Sequence, residues 1–400
     1  MGIRHARPEK RTLLGTSGRG FLELYTSPLG DVPVLHVAGT PEEMGYQYGA
    51  LAGDNIKRNL RRMTALFTEA GLPEPLVNMM LDTAWKRLEA HTPERFLREM
   101  KAIAEGASAA GHALTAEDVY RITTVTNFDL YKREERIFEF LGEDGAAMLE
   151  QMQPPPAMSC TFFAVWGSRT VDGKLLASRD LDWVSQTGMH EDRLVTVHRP
   201  EGRNAFVTLG YAGVIGGLAG MNDTGLAFSE IGAFSVREEL DGTPWTLIVR
   251  RIMEEAGTLE EGAALLQQAK HTLGYNFMLA DGDPRKGSTY FECHKPMVDM
   301  FRAYASGGGY VFPVRGENVI EAGAPRLIGP EEALTIAATV AHNTEKLAER
   351  DWDVMSVVYA PTDLDFWVAY ESCDAAGHWK NAPDSGYIRF NLRELLAAVP

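Results

Sequence analysis

Cysteine is nearly absent. Only three occur in 400 residues, at positions 160, 293 and 373. They are too few and too far apart for a disulfide framework or a zinc pattern, and a reducing cytoplasm is the expected compartment. Positive charge is scarce as well: 39 Lys and Arg face 55 Asp and Glu, a net charge of −16 at pH 7. That balance argues against a nucleic-acid partner, which needs a basic face, and against an anionic membrane surface. No apolar run approaches the ~18 residues of a spanning helix. The opening "MGIRHARPEKRTLLG" is basic but lacks the apolar segment of a secretory signal, and Ala6 stands where a myristoylation site wants Ser or Thr. There is no H-E-x-x-H, no G-x-S-x-G elbow and no solenoid repeat. "GYAGVIGGLAG" lacks dinucleotide-binding spacing and reads as tight turns. No metal and no organic cofactor are expected.

What is present suits a large core. Hydrophobic residues make up 45% and charged residues 24%, ordinary usage for one large domain or two smaller ones. "FLELYTSPLGDVPVLHVA" (21–38) reads as two short strands about a Pro/Gly turn. Thr40, Pro41 and Glu43 then form a capping box that opens a helix. Helical spacing dominates to about 140, with further starts at Thr92-Pro93 and Thr115–Asp118 and a stop at Gly111. Three prolines at 154–156 favour an extended linker.

After residue 160 the texture turns to strands. "CTFFAVWGSRT" and "GKLLASRDLDW" flank Asp172-Gly173, the signal of a two-residue hairpin. "RLVTVHR" with "NAFVTLGYAG", and "GLAGM" with "GLAFSEIG", read as further pairs. Helices follow at 244–256, started by Thr243-Pro244, and at 259–269, started by the box Thr258 to Glu261, then strands "YNFMLADG" and "STYFECH", a helix from Pro330-Glu331, and strands "VMSVVYAP" and "DFWVAYE". Phe162, Ala164 and Trp166 point one way and Phe163 and Val165 the other, so this strand lies in a covered layer. The fold expected is α+β: a four-layer α-β-β-α sandwich of antiparallel sheets, with a helical N-terminal segment.

Cys160 opens that doubly apolar strand, directly behind the proline-rich linker. A free cysteine is most often a small buried hydrophobe. As a nucleophile it needs a base, and no histidine lies close in sequence. Cleavage of the Ser159–Cys160 bond supplies one, an α-amine of pKa ~8 on the same residue.

"SCTFFAVWG" followed by "DGKLLASRDLDW" resembles the start of the catalytic chain of N-terminal nucleophile hydrolases, in particular the isopenicillin N acyltransferase-like family of autoproteolytic acyltransferases and amidohydrolases. "GTPEEMGYQYG" resembles the same family's N-terminal segment. The resemblance implies that Cys160 is the nucleophile, freed by self-cleavage after Ser159. It implies that Arg179 and Asp182 stand behind it, Arg179 stabilising the thiolate and Asp182 holding the α-amine, with Asp180 as competitor for the aspartate role. Asn222 of "GMNDTGL" and Asn276 of "GYNFMLADG" match the two oxyanion-binding asparagines, and Arg389 is a candidate for a late arginine. Against this stand plainer roles: a surface ion pair for Arg179 and Asp182, and a turn residue for Asn222.

One geometric demand goes with the resemblance. A two-residue hairpin at 172–173 pairs 171 with 174 and leaves Arg179 about 20 Å along the strand from Cys160 at ~3.3 Å per residue. The second strand must bulge, bend or follow a longer turn.

The expected protein has an N-terminal segment, residues 1–159, and a catalytic segment, residues 160–400, that remain associated after cleavage. It acts on a small-molecule linear amide through an acyl-thioester, as hydrolase or acyltransferase. A non-catalytic, unprocessed binding or scaffold protein of the same fold is the alternative. Homo-oligomerisation is open.

Overall fold

The computed structural model describes residues 3–69, 71–127, 160–232, 240–272, 274–283, 288–294, 301–305, 309–311, 327–343 and 351–400. In the first half, strands β1 (His5–Ala6), β2 (Lys10–Ser17), β3 (Gly20–Ser27) and β4 (Gly30–Gly39) precede helices α1 (Pro41–Met63), α2 (Ala65–Glu69), α3 (Glu74–Glu89), α4 (Glu94–Ala109) and α5 (Ala116–Val125). The second half begins with β5 (Ala164–Trp166), β6 (Leu176–Val184), β7 (Arg193–Pro200), β8 (Phe206–Tyr211), β9 (Ala219–Asn222) and β10 (Leu226–Gly232). Next come α6 (Trp245–Glu255), α7 (Leu259–Gln268), β11 (Tyr275–Asp281), β12 (Ser288–His294), β13 (Phe301–Ala305), β14 (Gly309–Val311) and α8 (Pro330–Asn343). The chain closes with β15 (Asp351–Ala360), β16 (Asp365–Tyr370), β17 (Ser372–Cys373), β18 (Trp379–Lys380), α9 (Ala382–Ser385), β19 (Tyr387–Asn391) and α10 (Leu392–Ala397).

Two antiparallel-rich sheets stack face to face. The first has the order β1-β19-β16-β15-β6-β5-β14 and the second β13-β12-β11-β10-β9-β8-β7-β4-β3-β2. Bonds cross between them: Ser229 Oγ donates to the Ser178 carbonyl (2.9 Å) and Tyr211 Oη to the Val354 carbonyl (2.9 Å). On the outer face of the first sheet, Ala333, Leu334 and Ala337 of α8 pack on Phe163, Val165 and Val358. On the outer face of the second, Gly262 of α7 abuts Leu279 and Leu226, while Gln47 of α1 exchanges two hydrogen bonds with Ala38 of β4. The layers are α-β-β-α, as the periodicity required.

Capping boxes form at Thr40–Glu43, Thr115–Asp118 and Thr258–Glu261. Thr92 does not cap its helix. Its hydroxyl donates back to the Leu88 carbonyl (3.0 Å), and α4 starts behind Pro93 with no side-chain cap. The strand after Cys160 divides its faces as read: Phe162, Ala164 and Trp166 enter the main core, while Phe163 and Val165 join the smaller core under α8.

The two-residue hairpin at Asp172-Gly173 does not form. Ala164 pairs with Ala177 and Val165 with Leu176. A 3-10 turn at Gly167–Arg169 lengthens the connection, which Gly167 N–H closes onto the Gly173 carbonyl (3.1 Å). Both glycines have positive φ, +60° and +76°, backbone that other residues adopt only with strain. The longer turn sets Asp180 opposite Thr161. It satisfies the demand that the functional segments imposed.

Residues 1–159 are not laid beside 160–400 as a separate body. β4 pairs in parallel with β7, and β1 with β19. The proline-rich linker and Ser159 lie outside the described residues.

Candidate active site

Cys160 sits just ahead of β5, half-buried against the main core. Its Sγ–H points to the Asp182 main-chain carbonyl (3.8 Å) and opens into a pocket of ≈380 Å³, some of it open to solvent. β6 supplies Arg179, Leu181 and Trp183 to that pocket, alternate residues on one face of the strand. The opposite wall comes from elsewhere: Thr126 at the end of α5, Trp245 at the start of α6, Tyr275 of β11. Trp245 is fixed there, its indole N–H donating to the Thr126 carbonyl (2.8 Å) and its backbone N–H to Asn127 Oδ1 (3.1 Å).

Arg179 is fully buried. The pairing of β9 with β10 involves Ala227 and Phe228 on the β10 side. Beyond it the guanidinium reaches the second sheet, donating to the Leu218 carbonyl (3.4 Å) and to Glu230 Oε2 (3.1 Å), and to the Asp180 carbonyl of its own strand (2.7 Å). Glu230, also buried, thereby belongs to the site. No motif announced it. The available signal was one carboxylate inside the apolar run "GLAFSEIG", where an acid is expensive unless paired.

Burial pushes the Cys160 thiol up. The charge and hydrogen bonding of Arg179 and the bond to the Asp182 carbonyl pull it down, and the Glu230 charge pushes it up again. The net direction is upward, so the sulfur rests as a thiol. The surroundings set the Arg179 cation and the Glu230 carboxylate beside it.

The two aspartates of "SRDLDW" separate. Asp182 is buried, touches Cys160 through its carbonyl and faces Asp353 across the β6–β15 ladder, next to a bulge. Asp180 shares with Asp182 the face of β6 opposite Arg179, Leu181 and Trp183, and its carboxylate meets Thr161 and Ser356.

Asn222 is not brought to the pocket. Its amide donates to the carbonyls of Met253 (3.2 Å) and Ala256 (2.7 Å), and its Oδ1 accepts from Thr224 Oγ1 (2.7 Å) and Leu226 N–H (3.0 Å). It ties the β9–β10 turn to the end of α6, with its hydrogen-bonding capacity used there. Asn276 lies in β11 beside Tyr275 and opposite Ile231. Among the described residues its side chain makes no hydrogen bond, and the adjacent Tyr275 is the one that lines the pocket. Arg389 stands at the far side of the first sheet, bound to Asp365 (2.5 Å) and stacked over Trp367. Among the described residues no group of three His, Cys, Asp or Glu could hold a metal ion, and no helix is long and apolar enough to cross a membrane.

Two stacked antiparallel-rich sheets covered by helices, with a thiol just ahead of an inner strand, are an arrangement of the kind expected for the N-terminal nucleophile hydrolases. Residues 169–299 match the family model described as "Acyl-coenzyme A:6-aminopenicillanic acid acyl-transferase". This match bears out the resemblance to the isopenicillin N acyltransferase-like branch of that superfamily.

Among curated relatives, a protein of Archaeoglobus fulgidus named only "Uncharacterized protein" is 25% identical over 276 residues, 67% of this chain and 45% of that one. Protein dcd1B of Dictyostelium discoideum is 22% identical over 324 residues, 75% of this chain and 58% of that one. The chain spans about half the length of these relatives. Among solved structures, a Caenorhabditis elegans ortholog of N-acylethanolamine-hydrolyzing acid amidase aligns with a TM-score of 0.41 at 11% identity, over 51% of this chain and 93% of that one. A variant of conjugated bile acid hydrolase from Clostridium perfringens aligns at 0.39 and 10%, over 59% and 93%. Penicillin V acylase from Agrobacterium tumefaciens aligns at 0.32 and 12%, over 57% and 88%.

Proposed function

We propose that this chain is an autoproteolytic cysteine amidohydrolase or acyltransferase acting on linear amides. The observation that carries the reading is a half-buried thiol that shares a pocket with a fully buried Arg179–Glu230 pair. In maturation the Cys160 sulfur attacks the Ser159 carbonyl carbon. A C–S bond forms, the C–N bond breaks, and the nitrogen takes a proton to become the α-amine. Water then cleaves the thioester and leaves fragments 1–159 and 160–400.

In turnover the α-amine takes the thiol proton and the sulfur attacks an amide carbonyl. The proton passes to the departing amine, and an acyl-thioester remains for water or a second amine to resolve. Arg179 stabilises the thiolate, and Asp182 holds the ammonium form of the amine. Of the two asparagines, Asn276, whose side chain makes no hydrogen bond among the described residues, is the remaining candidate for an oxyanion role, since the amide of Asn222 is committed elsewhere.

Continued association of the fragments is supported by contacts that join the two segments. Asp192, fully buried, takes Asn55 Nδ2 (3.0 Å), Arg58 Nη2 (2.8 Å) and Arg62 from α1. Arg250 of α6 is buried against Glu99 of α4 (3.0 Å). Free thiols at Cys160 and Cys373 suit a reducing cytoplasm.

Intact-mass measurement of the purified protein tests the reading. Fragments 1–159 and 160–400 are expected, with Cys160→Ala remaining one chain and losing amide turnover. A full-length protein that keeps amidase activity would refute the mechanism. An unprocessed chain with intact function in Cys160→Ala would favour the binding-protein alternative.

A further inference from the structure

Thr161, the residue after the nucleophile, is held from a side that the chemistry does not use. Its N–H donates to the Asp180 carbonyl (3.1 Å) and its carbonyl accepts the Asp180 N–H (2.8 Å), forming a bridge isolated from the β5–β6 ladder. β5 itself begins only at Ala164. Between that bridge and β5, Ser178 N–H donates to the Phe163 carbonyl (2.8 Å) and Phe163 N–H to Ser178 Oγ (3.2 Å); Thr161 is the outermost paired residue, and a slip of one residue would carry Cys160 to the opposite face.

Side chains reinforce it. Asp180 is 1% exposed. Its Oδ2 accepts Thr161 Oγ1 (3.3 Å) and its Oδ1 accepts the Ser356 hydroxyl. Ser356 Oγ lies 2.6 Å from Tyr387 Oη, and both residues are fully buried. Tyr387 packs in the core under α8 with Phe163. The hydrogen-bonded line Thr161–Asp180–Ser356–Tyr387 therefore runs from the nucleophile's neighbour across β6 and β15 to β19, on the side away from the pocket.

We propose that Asp180, backed by Ser356 and Tyr387, is a positioning residue that fixes Thr161 and so aims the Cys160 thiol into the pocket. Its consequence for chemistry rests on Cys160 being the nucleophile; the positioning itself does not. Asp180 touches neither the thiol nor the pocket. Its carboxyl is pushed well above the usual carboxylate range by burial first and by the nearby Asp353 charge second, against the bonds from Ser356 and Thr161 and the Arg179 charge. An amide reproduces the shape of a protonated carboxyl, and the Thr161 hydroxyl can accept where it now donates. Asparagine is thus the conservative replacement.

The test combines hydrogen exchange, read by mass spectrometry over 160–163 and 178–181, with the rate of self-cleavage. Asp180→Ala is expected to lose at least tenfold protection in both segments and to be processed at least tenfold more slowly. Asp180→Asn is expected to restore both to within about threefold of the natural protein. Ser356→Ala, which removes one hydroxyl and leaves the strand pairing untouched, is expected to fall between, and it decides the matter if Asp180→Ala does not fold. Unchanged exchange in Asp180→Ala or Ser356→Ala overturns the proposal. So does Asp180→Asn impaired as far as Asp180→Ala. If the natural chain is never processed, the nucleophile reading fails, and the exchange data alone still judge the positioning.

Discussion

Glu230 gives the sharpest prediction. It is the carboxylate partner of Arg179, and both side chains are essentially excluded from water. At 3.1 Å and an effective dielectric of about 20, Coulomb's law puts the attraction at about 5 kcal/mol. Removing one member of such a pair leaves the other charge buried and uncompensated, a loss of about 3–5 kcal/mol. With an unfolding entropy of about 2.1 cal/mol/K per residue, 400 residues carry about 0.84 kcal/mol/K, so a loss of about 4 kcal/mol lowers the melting temperature by about 5 °C. Glu230→Ala is expected to show that fall in scanning calorimetry. Glu230→Gln keeps an oxygen for the guanidinium and is expected to fall by less. The second readout is the sulfur. The Glu230 charge raises the Cys160 pKa and Arg179 lowers it. Either substitution should therefore bring the thiol down, so that alkylation of Cys160 by iodoacetamide, followed peptide by peptide, reaches half its plateau rate at a lower pH. A Glu230→Ala protein that melts within about 1 °C of the parent, or a thiol that titrates higher in Glu230→Gln, would refute the coupling of the three groups.

Three further outcomes follow from the packing. Asn222→Ala takes the Asn222 amide from the Met253 carbonyl and its oxygen from the Leu226 N–H in the core, while the Ala256 carbonyl keeps Asn204 Nδ2. It should cost about 3 kcal/mol by denaturant titration yet leave self-cleavage in place; complete loss of cleavage in a folded variant would restore Asn222 to the catalytic set. A Cβ on Gly49 would overlap the Ile103 carbonyl of α4, so Gly49→Ala should destabilise the protein by about 1–3 kcal/mol, and a neutral result would mean that the two helices separate freely. Glu99 is pushed up to about 7 by burial, against the pull of Arg250. Its folded form binds a proton more tightly than its unfolded form, so its contribution to stability falls as pH rises from about 4.5 to about 7 and is flat above. Glu99→Gln should flatten that slope in pH-resolved melting, and an unchanged slope would assign it to other groups.

Local chemistry made much of this protein readable from its residues. Thr-x-x-Glu and Thr-x-x-Asp boxes located three helix starts because a hydroxyl and a carboxylate three residues apart satisfy each other's backbone N–H groups wherever they occur. The double apolar run after Cys160 required a strand covered on both faces, and from it came the four layers. The thiol behind a proline-rich linker, with Arg179 near in sequence, pointed to the pocket that Cys160 and Arg179 both line. Tertiary structure decided the rest, because those choices depend on groups far apart in the chain. Glu230 became Arg179's partner only once the sheets stacked. Asn222 and Asn276 look alike as motifs, and their surroundings commit one amide fully and, among the described residues, leave the other without a hydrogen bond. Asp180 and Asp182 are two residues apart, and the neighbouring strands give them different surroundings, Thr161 and Ser356 for one and a place opposite Asp353 for the other. Even the turn at 172–173 yielded: its dipeptide favours the tight form, but the register of β6 against β5 and β15 is a long-range quantity, and the larger sum of buried contacts prevailed over a local preference of about a kilocalorie per mole.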